Sequence, residues 1–240
     1  MGGGAHPGAR PAQGVRAAWL MLLVVTSCAA PPTRAPDPAM LAAAAVFDVA
    51  SSTGGRCRAT GSAVHLGEGR FLTVAHVVDG SSQQLRGGCP AVPPALTLSI
   101  RGATLPATLA GAGRHRIDPV IGQRYFGAED LALLTPQRGA PALPAATLCA
   151  ATPPPGTPVL LVTNGQAIRT RITRLAPEPE VAFGAYLEIP VQLEPGASGG
   201  ALFEAASGCL AGLVSHRDDD GGPPRARLVP ARTIRRFVGL

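Results

Sequence analysis

"EPGASGG", residues 194–200, decides how the rest of the chain is read. It sets Ser198 among small residues, where no neighbouring side chain hinders a group approaching the backbone. Two readings compete. One is a turn that happens to contain serine, in a chain with 30 Gly and 25 Pro; the other is a nucleophile. A serine hydroxyl is a weak nucleophile until a base accepts its proton, and that base needs a third group to fix its tautomer. The decision therefore rests on the histidines and aspartates elsewhere.

Among the five histidines, His65 in "AVHLGEG" and His115 in "GRHRID" sit in turn-like or Arg-rich polar surroundings and read as surface residues. His76 differs. It follows a strand pattern, "RFLTV", and is enclosed by "TVAHVV", where an imidazole needs a hydrogen-bonding purpose, catalytic or structural. In "AEDLALL" (128–134) Asp130 opens an apolar strand, and a carboxylate enters an interior only when paired or hydrogen-bonded. Asp79 and Asp118 read as turn residues, and Asp218, Asp219 and Asp220 as a solvated loop ahead of "GGPP".

The 46% of apolar residues suffices for a sizeable core. They come in short runs separated by Pro or Gly, which predicts many short strands joined by turns: an all-β barrel or sandwich. The formal charge of +6 is the balance of 21 scattered cations, every one arginine, against 15 acidic residues. Phosphate neutralisation needs clustered cations, so no nucleic-acid partner is implied. The one dense stretch, "RTIRR" (232–236), reads as the polar face of a helix.

At the N-terminus, Arg10 and Arg16 precede the apolar run "AAWLMLLVV" (17–25), the pattern of an export leader over residues 1–27. "VTSC" (25–28) resembles the bacterial lipobox, which would make Cys28 a lipidated mature N-terminus and anchor the protein to a membrane. Cleavage after Ala29 or Ala30 is the alternative. Residues 28–42 read as a Pro/Ala-rich tether without a core of its own. Export to the cell envelope or beyond implies an oxidising compartment. Setting Cys28 aside, Cys57, Cys89, Cys149 and Cys209 have no close zinc-type spacing and read as two disulfides with three pairings open.

Taken together, "TVAH" ending at His76, "DLAL" starting at Asp130 and "GASGG" around Ser198 resemble the trypsin/chymotrypsin-like serine endopeptidases, in that family's order of base, acid and nucleophile. The resemblance covers roughly residues 43–240 and is similar to the family's bacterial branch in carrying Ala197 before the serine and Val77 after the histidine. The resemblance is to members expected to lack a PDZ domain. The resemblance implies two six-stranded antiparallel Greek-key barrels, about 43–135 and 136–228, with a closing helix at 230–238. It places Cys57 with Cys89 in the first barrel and Cys149 with Cys209 in the second.

By the same resemblance His76, Asp130 and Ser198 form a triad acting on polypeptide substrates, with no metal or cofactor. The N–H groups of Gly196 and Ser198 would hold the oxyanion, where losing one donor typically costs about 3–4 kcal/mol. Ser215 resembles the serine beside the family's buried acid. Gln192, Leu193, Val214, Ser215, His216 and Arg217 would line the substrate cleft, with 213–217 pairing to the substrate backbone. Gln192 falls where trypsin-like enzymes of basic specificity carry Asp, so strict Arg/Lys preference is not implied. "GASGG" also fits the G-x-S-x-G elbow of α/β-hydrolases. That reading would use His216 and the Asp218 run and leave His76 and Asp130 unexplained. A protease fold that only binds is the remaining alternative.

Overall fold

A computed structural model describes residues 1–4, 37–80, 89, 92–118, 122–139, 141–163, 166–218 and 222–240. The chain divides after Ala35, and the second unit carries the fold. Cys28 and nearly all of the leader and tether lie outside the described residues. Among the described residues no helix is long and apolar enough to cross a membrane.

The short helix α1 (Pro38–Ala42) and a 3-10 turn lead into β1 (Val46–Gly54), β2 (Cys57–His65), β3 (Phe71–Thr73) and helix α2 (Ala75–Val78). Then come β4 (Ala95–Ile100), β5 (Ala103–Ala112), a hairpin of β6 (His115–Asp118) and β7 (Gly122–Tyr125), and β8 (Ala132–Pro136). Strands β1-β2-β3-β8-β5-β4 form a closed antiparallel barrel. Its interior is filled by Val49, Ala63, Phe71, Leu98, Ile100 and Leu134.

The second half holds β9 (Pro158–Thr163), β10 (Gln166–Arg171), β11 (Arg174–Pro177), β12 (Ala185–Ile189), β13 (Ala201–Glu204), β14 (Leu210–Asp218) and β15 (Arg225–Pro230), and ends in helix α3 (Ala231–Val238). Seven strands pair here instead of six, in the order β10-β9-β13-β14-β15-β12-β11. The extra strand has a simple origin. The two end strands, β10 and β11, are one length of chain interrupted at Ile172 and Thr173. Ile172 N donates to Thr157 O at 3.1 Å and Thr173 N to Glu188 O at 2.9 Å, so the ladders on both sides continue through the break. A single bent strand, 166–177, thus pairs with β9 through one end and with β12 through the other. The second barrel closes through that bend.

Alternation explains why "PVLLVT" is apolar without interruption. Val159 and Leu161 point into the second barrel, while Leu160 and Val162 point to a shared core between the halves. Strands buried on both faces read as continuous apolar runs, and each such side chain contributes about 1.5–3 kcal/mol. Val64 and Leu72 from the first barrel meet Phe203, Leu210 and Leu213 from the second in this shared core.

Ala39 and Ala45 are also in it, so residues 38–45, partly assigned to the tether, belong to the folded domain. The reason is local. Asp37 caps α1 by accepting from Ala39 N, and alanines are small enough to pack beside β9 and β13. Cys57 bonds Cys89 and Cys149 bonds Cys209, one bridge within each half. Closing loops of these lengths contributes on the order of 3–4 kcal/mol each. His65, expected at the surface, is buried: its Nδ1 lies 2.8 Å from Pro144 O and its ring packs on Phe71.

Candidate active site

Each half supplies one kind of part. In the first, α2 is a single turn whose Ala75, Val77 and Val78 are buried. It therefore sits fixed on the barrel and leaves His76 on the side toward the second half, with 26% of its side chain exposed. Asp130 lies just ahead of β8 and is 1% exposed. Helix α3 reaches this approach: Arg236 donates to Glu129 Oε1 at 2.9 Å and to Gly127 O. Asp130 Oδ1 accepts from His76 N at 3.1 Å, and Oδ2 lies 2.8 Å from His76 Nδ1. Both oxygens are thereby engaged by one residue, which fixes the imidazole's tilt as well as its position.

In the second half, backbone does the positioning. Glu194–Ala197 is a β-turn closed by Ala197 N donating to Glu194 O at 3.1 Å. Pro195 presets its second position and Gly196, at φ +92°, takes the left-handed third position of a type II turn. A second turn follows, closed by Gly200 N to Ala197 O at 2.9 Å with Gly199 at φ +79°.

Ser198 sits between the two positive-φ glycines, its Oγ 3.0 Å from His76 Nε2. Its carbonyl accepts from Ser62 N of β2 at 2.8 Å, so the turn is pinned to the opposite barrel. A Cβ on Gly199 would come within 2.0 Å of Ser62 O, and one on Gly61 within 2.5 Å of Ser198 O. Among the described residues, the N–H groups of Gly196 and Ser198 have no acceptor.

Electrostatics in this cluster follow from burial and pairing. Burial works to lower the His76 pKa, but the charge and hydrogen bond of Asp130 outweigh it, with Asp79 adding to them, and hold it above the ordinary histidine value. Burial works to raise Asp130; His76, the Ser215 hydroxyl and the His76 N–H together hold it below the usual carboxylate range. Ser215 Oγ donates to Asp130 Oδ2 at 2.6 Å, and His216 Nδ1 lies 3.0 Å from the same Ser215 Oγ.

The residues assigned to the substrate cleft separate into groups. Gln192, His216 and Arg217 are exposed, while Leu193, at 8% exposure, packs beside Val191 and Ala197 in the second barrel. Val214 is fully buried, and its backbone is committed to the turn that carries Ser198: Val214 O accepts from Gly199 N and Val214 N donates to Gly200 O, both at 2.8 Å. Leu213 pairs with Ala201 of β13. Pairing of a ligand strand at 213 and 214 is therefore ruled out by existing bonds, and β13 accompanies β14 no further than Leu213. Asp218, expected in a solvated loop, ends β14 and pairs with Arg227 at 2.9 Å and Arg225 at 3.5 Å; Asp219 and Asp220 lie outside the described residues.

One cluster escaped the sequence reading. Arg124, stacked 3.8 Å over Phe183, donates to Glu178 and Glu180, and Arg227 bridges Glu178, Glu188 and Asp218. The signal was Glu188 inside the apolar strand "AYLEI", a position that demands a cation.

The family model for a trypsin-like peptidase domain matches residues 60–213, spanning His76, Asp130 and Ser198. Among solved structures, the fold is similar to the HtrA-type protease AlgW with a tripeptide (TM-score 0.61, 21% identity, 84% of this chain and 61% of that one). It is similar to the same protease with a decapeptide (0.59, 20%, 85% and 66%). It also resembles Rv3671c from M. tuberculosis H37Rv in an inactive form (0.58, 18%, 87% and 95%). The chain spans less than two thirds of the length of the HtrA-type structures. Among curated protein sequences none is significantly similar. The sequence match over most of the domain, on this architecture, settles the matter of kinship: the chain belongs to the family of trypsin-like peptidase domains.

Proposed function

We propose that the protein is a serine endopeptidase that cleaves polypeptides through His76, Asp130 and Ser198 by way of an acyl-enzyme. The observation that carries this reading is His76 held between Asp130 and Ser198 at 2.8 and 3.0 Å. His76 Nε2 takes the Ser198 proton as Oγ attacks the scissile carbonyl, then gives it to the leaving amine. Asp130 holds the tautomer with hydrogen on Nδ1 and stabilises the imidazolium. The N–H groups of Gly196 and Ser198 receive the oxyanion. Water then repeats the sequence on the acyl-enzyme.

No freed N-terminus is needed to order the turn. In trypsinogen-type activation a new ammonium pairs with an Asp before the nucleophile; here that position is Ala197, 7% exposed and packed in the second barrel. An unpaired ammonium buried there would cost several kcal/mol. The turn is ordered instead by its own hydrogen bonds and by Ser62.

The test is cleavage of an unfolded polypeptide by residues 29–240 carrying a permanent N-terminal tag. Turnover that is lost in Ser198→Ala is expected. A folded wild-type chain that binds the polypeptide without cutting it would establish the binding-module reading instead. Export with lipidation at Cys28 belongs to the same proposal. Mass spectrometry of the mature protein is expected to find acylated Cys28 at the N-terminus, and a chain starting at Ala30 or Pro31 would contradict the anchor.

A further inference from the structure

We propose that His216 is a positioning residue for the acid of this site: its Nδ1–H donates to Ser215 Oγ and thereby commits the Ser215 proton to Asp130. This rests on the hydrolase reading above and adds a member to it.

A serine hydroxyl has one proton and two lone pairs. Ser215 Oγ has two partners within 3.0 Å, Asp130 Oδ2 at 2.6 Å and His216 Nδ1 at 3.0 Å, and the Tyr186 phenol also hydrogen-bonds to Ser215. Asp130 is a buried carboxylate held in its ionised form, so it can only accept. The shorter bond to the charged acceptor takes the proton, since charge-assisted hydrogen bonds are about twice as strong as neutral ones. His216 Nδ1 must then carry hydrogen. The opposite tautomer would offer a lone pair to Ser215 and compete with Asp130 for its only proton. The chain of donors runs His216 to Ser215 to Asp130, meeting His76 from the other side.

The surroundings hold the ring in this role. His216 packs edge-on against Tyr186, with ring centroids 5.2 Å apart at 79°. Tyr186 stays a protonated phenol, because burial, and then the charge of Asp130, raise its pKa. It therefore needs no proton from Ser215. Part of His216 meets solvent, yet the packing of its ring pushes its pKa below the ordinary histidine value. Arg227 and His76 act in the same direction, while Asp130 and Asp218 oppose them. A neutral ring has one N–H, and the geometry places it on Nδ1.

The experiment has two arms. Nitrogen-15 NMR of histidine-labelled wild-type protein at neutral pH reads the tautomer without reference to activity; hydrogen on Nδ1 of His216 is expected, and hydrogen on Nε2 overturns the proposal. In the second arm, His216→Phe keeps a ring against Tyr186 but has no donor, and His216→Asn restores an N–H near the Nδ1 position. His216→Phe is expected to lower kcat about 3- to 10-fold, the worth of one ordinary hydrogen bond. KM should move less than about twofold, and His216→Asn should recover most of kcat. Equal loss in both variants, or loss confined to KM, overturns it. A wild-type chain without hydrolytic activity would refute the hydrolase reading instead, and the tautomer would still decide this one.

Discussion

The two halves of the site are held in place by different physics. His76 and Asp130 are positioned by side chains: a buried carboxylate, an imidazole and the hydroxyl of Ser215, all within hydrogen-bonding distance. Ser198 is positioned by backbone: two consecutive turns with positive-φ glycines, a carbonyl clamped to Ser62, and Val214 bonded on both its polar groups. The lesson is that the first assembly is vulnerable to changes of charge and protonation, and the second to the addition of a single carbon. Three experiments press on this contrast.

The largest effect is expected on the side-chain half. Asp130→Asn keeps the shape but offers an amide where a carboxylate held the Nδ1–H tautomer. Loss of about 10⁴-fold in kcat is expected, measured on a peptide substrate. The turn carrying Ser198 should stay intact, with thermal stability changed far less than activity. A loss under about tenfold would mean that Asp130 does not orient His76.

Next comes the backbone half. Gly199→Ala requires a left-handed alanine, costing of order 1–3 kcal/mol. It also drives Cβ against Ser62 O and so works against the Ser62 to Ser198 bond. Displacing a reacting group by about 1 Å can cost about 10² in rate. The His76 titration, followed by NMR, is expected to stay where it is in the wild type. A shifted titration would show that the two halves are not independent.

The smallest effect is a displacement along the pH axis. In the proposed mechanism His76 accepts a proton only when neutral. Because pairing with Asp130 raises the His76 pKa, the imidazolium persists to higher pH than for a free histidine, near 6.5. The acidic limb of kcat/KM should therefore fall above that value, with activity lost as pH drops through it. In Asp130→Asn the residual activity should show the limb moved to lower pH. A limb at or below the free value in the wild type would mean that burial, not Asp130, governs His76.

The same contrast explains what was legible in the sequence. Juxtaposition of His76, Asp130 and Ser198 could be read because each lies in a short stretch whose local chemistry has few other uses, and the glycine turn announces itself by composition. The disulfide partners were legible once the two barrels were assigned, since each bridge stays within one of them. The uninterrupted apolar run in "PVLLVT" fits a strand buried on both faces, but nothing in it identifies the core shared by the two halves.

What stayed hidden depends on contacts between distant segments. Val214 reads as a cleft residue in sequence, yet its N–H and C=O are spent on residues 199 and 200. Asp218 looks solvated until Arg225 and Arg227 are brought beside it by β15. His65 reads as a turn residue, but Pro144, far along the chain, supplies the carbonyl that lets it be buried. The bend at Ile172 and Thr173 has no local signature, because what defines it is the pairing of Thr173 with Glu188.

The central claim is that Ser198 is activated by His76 in the chain as it folds. The most direct measurement is to expose the tagged, untrimmed protein to a fluorophosphonate and map the modified residue by mass spectrometry, alongside Asp130→Asn. The account predicts one phosphonyl group, on Ser198, with labelling slowed by orders of magnitude in the variant. A folded wild-type protein left unmodified, or modified at a residue other than Ser198, would contradict it.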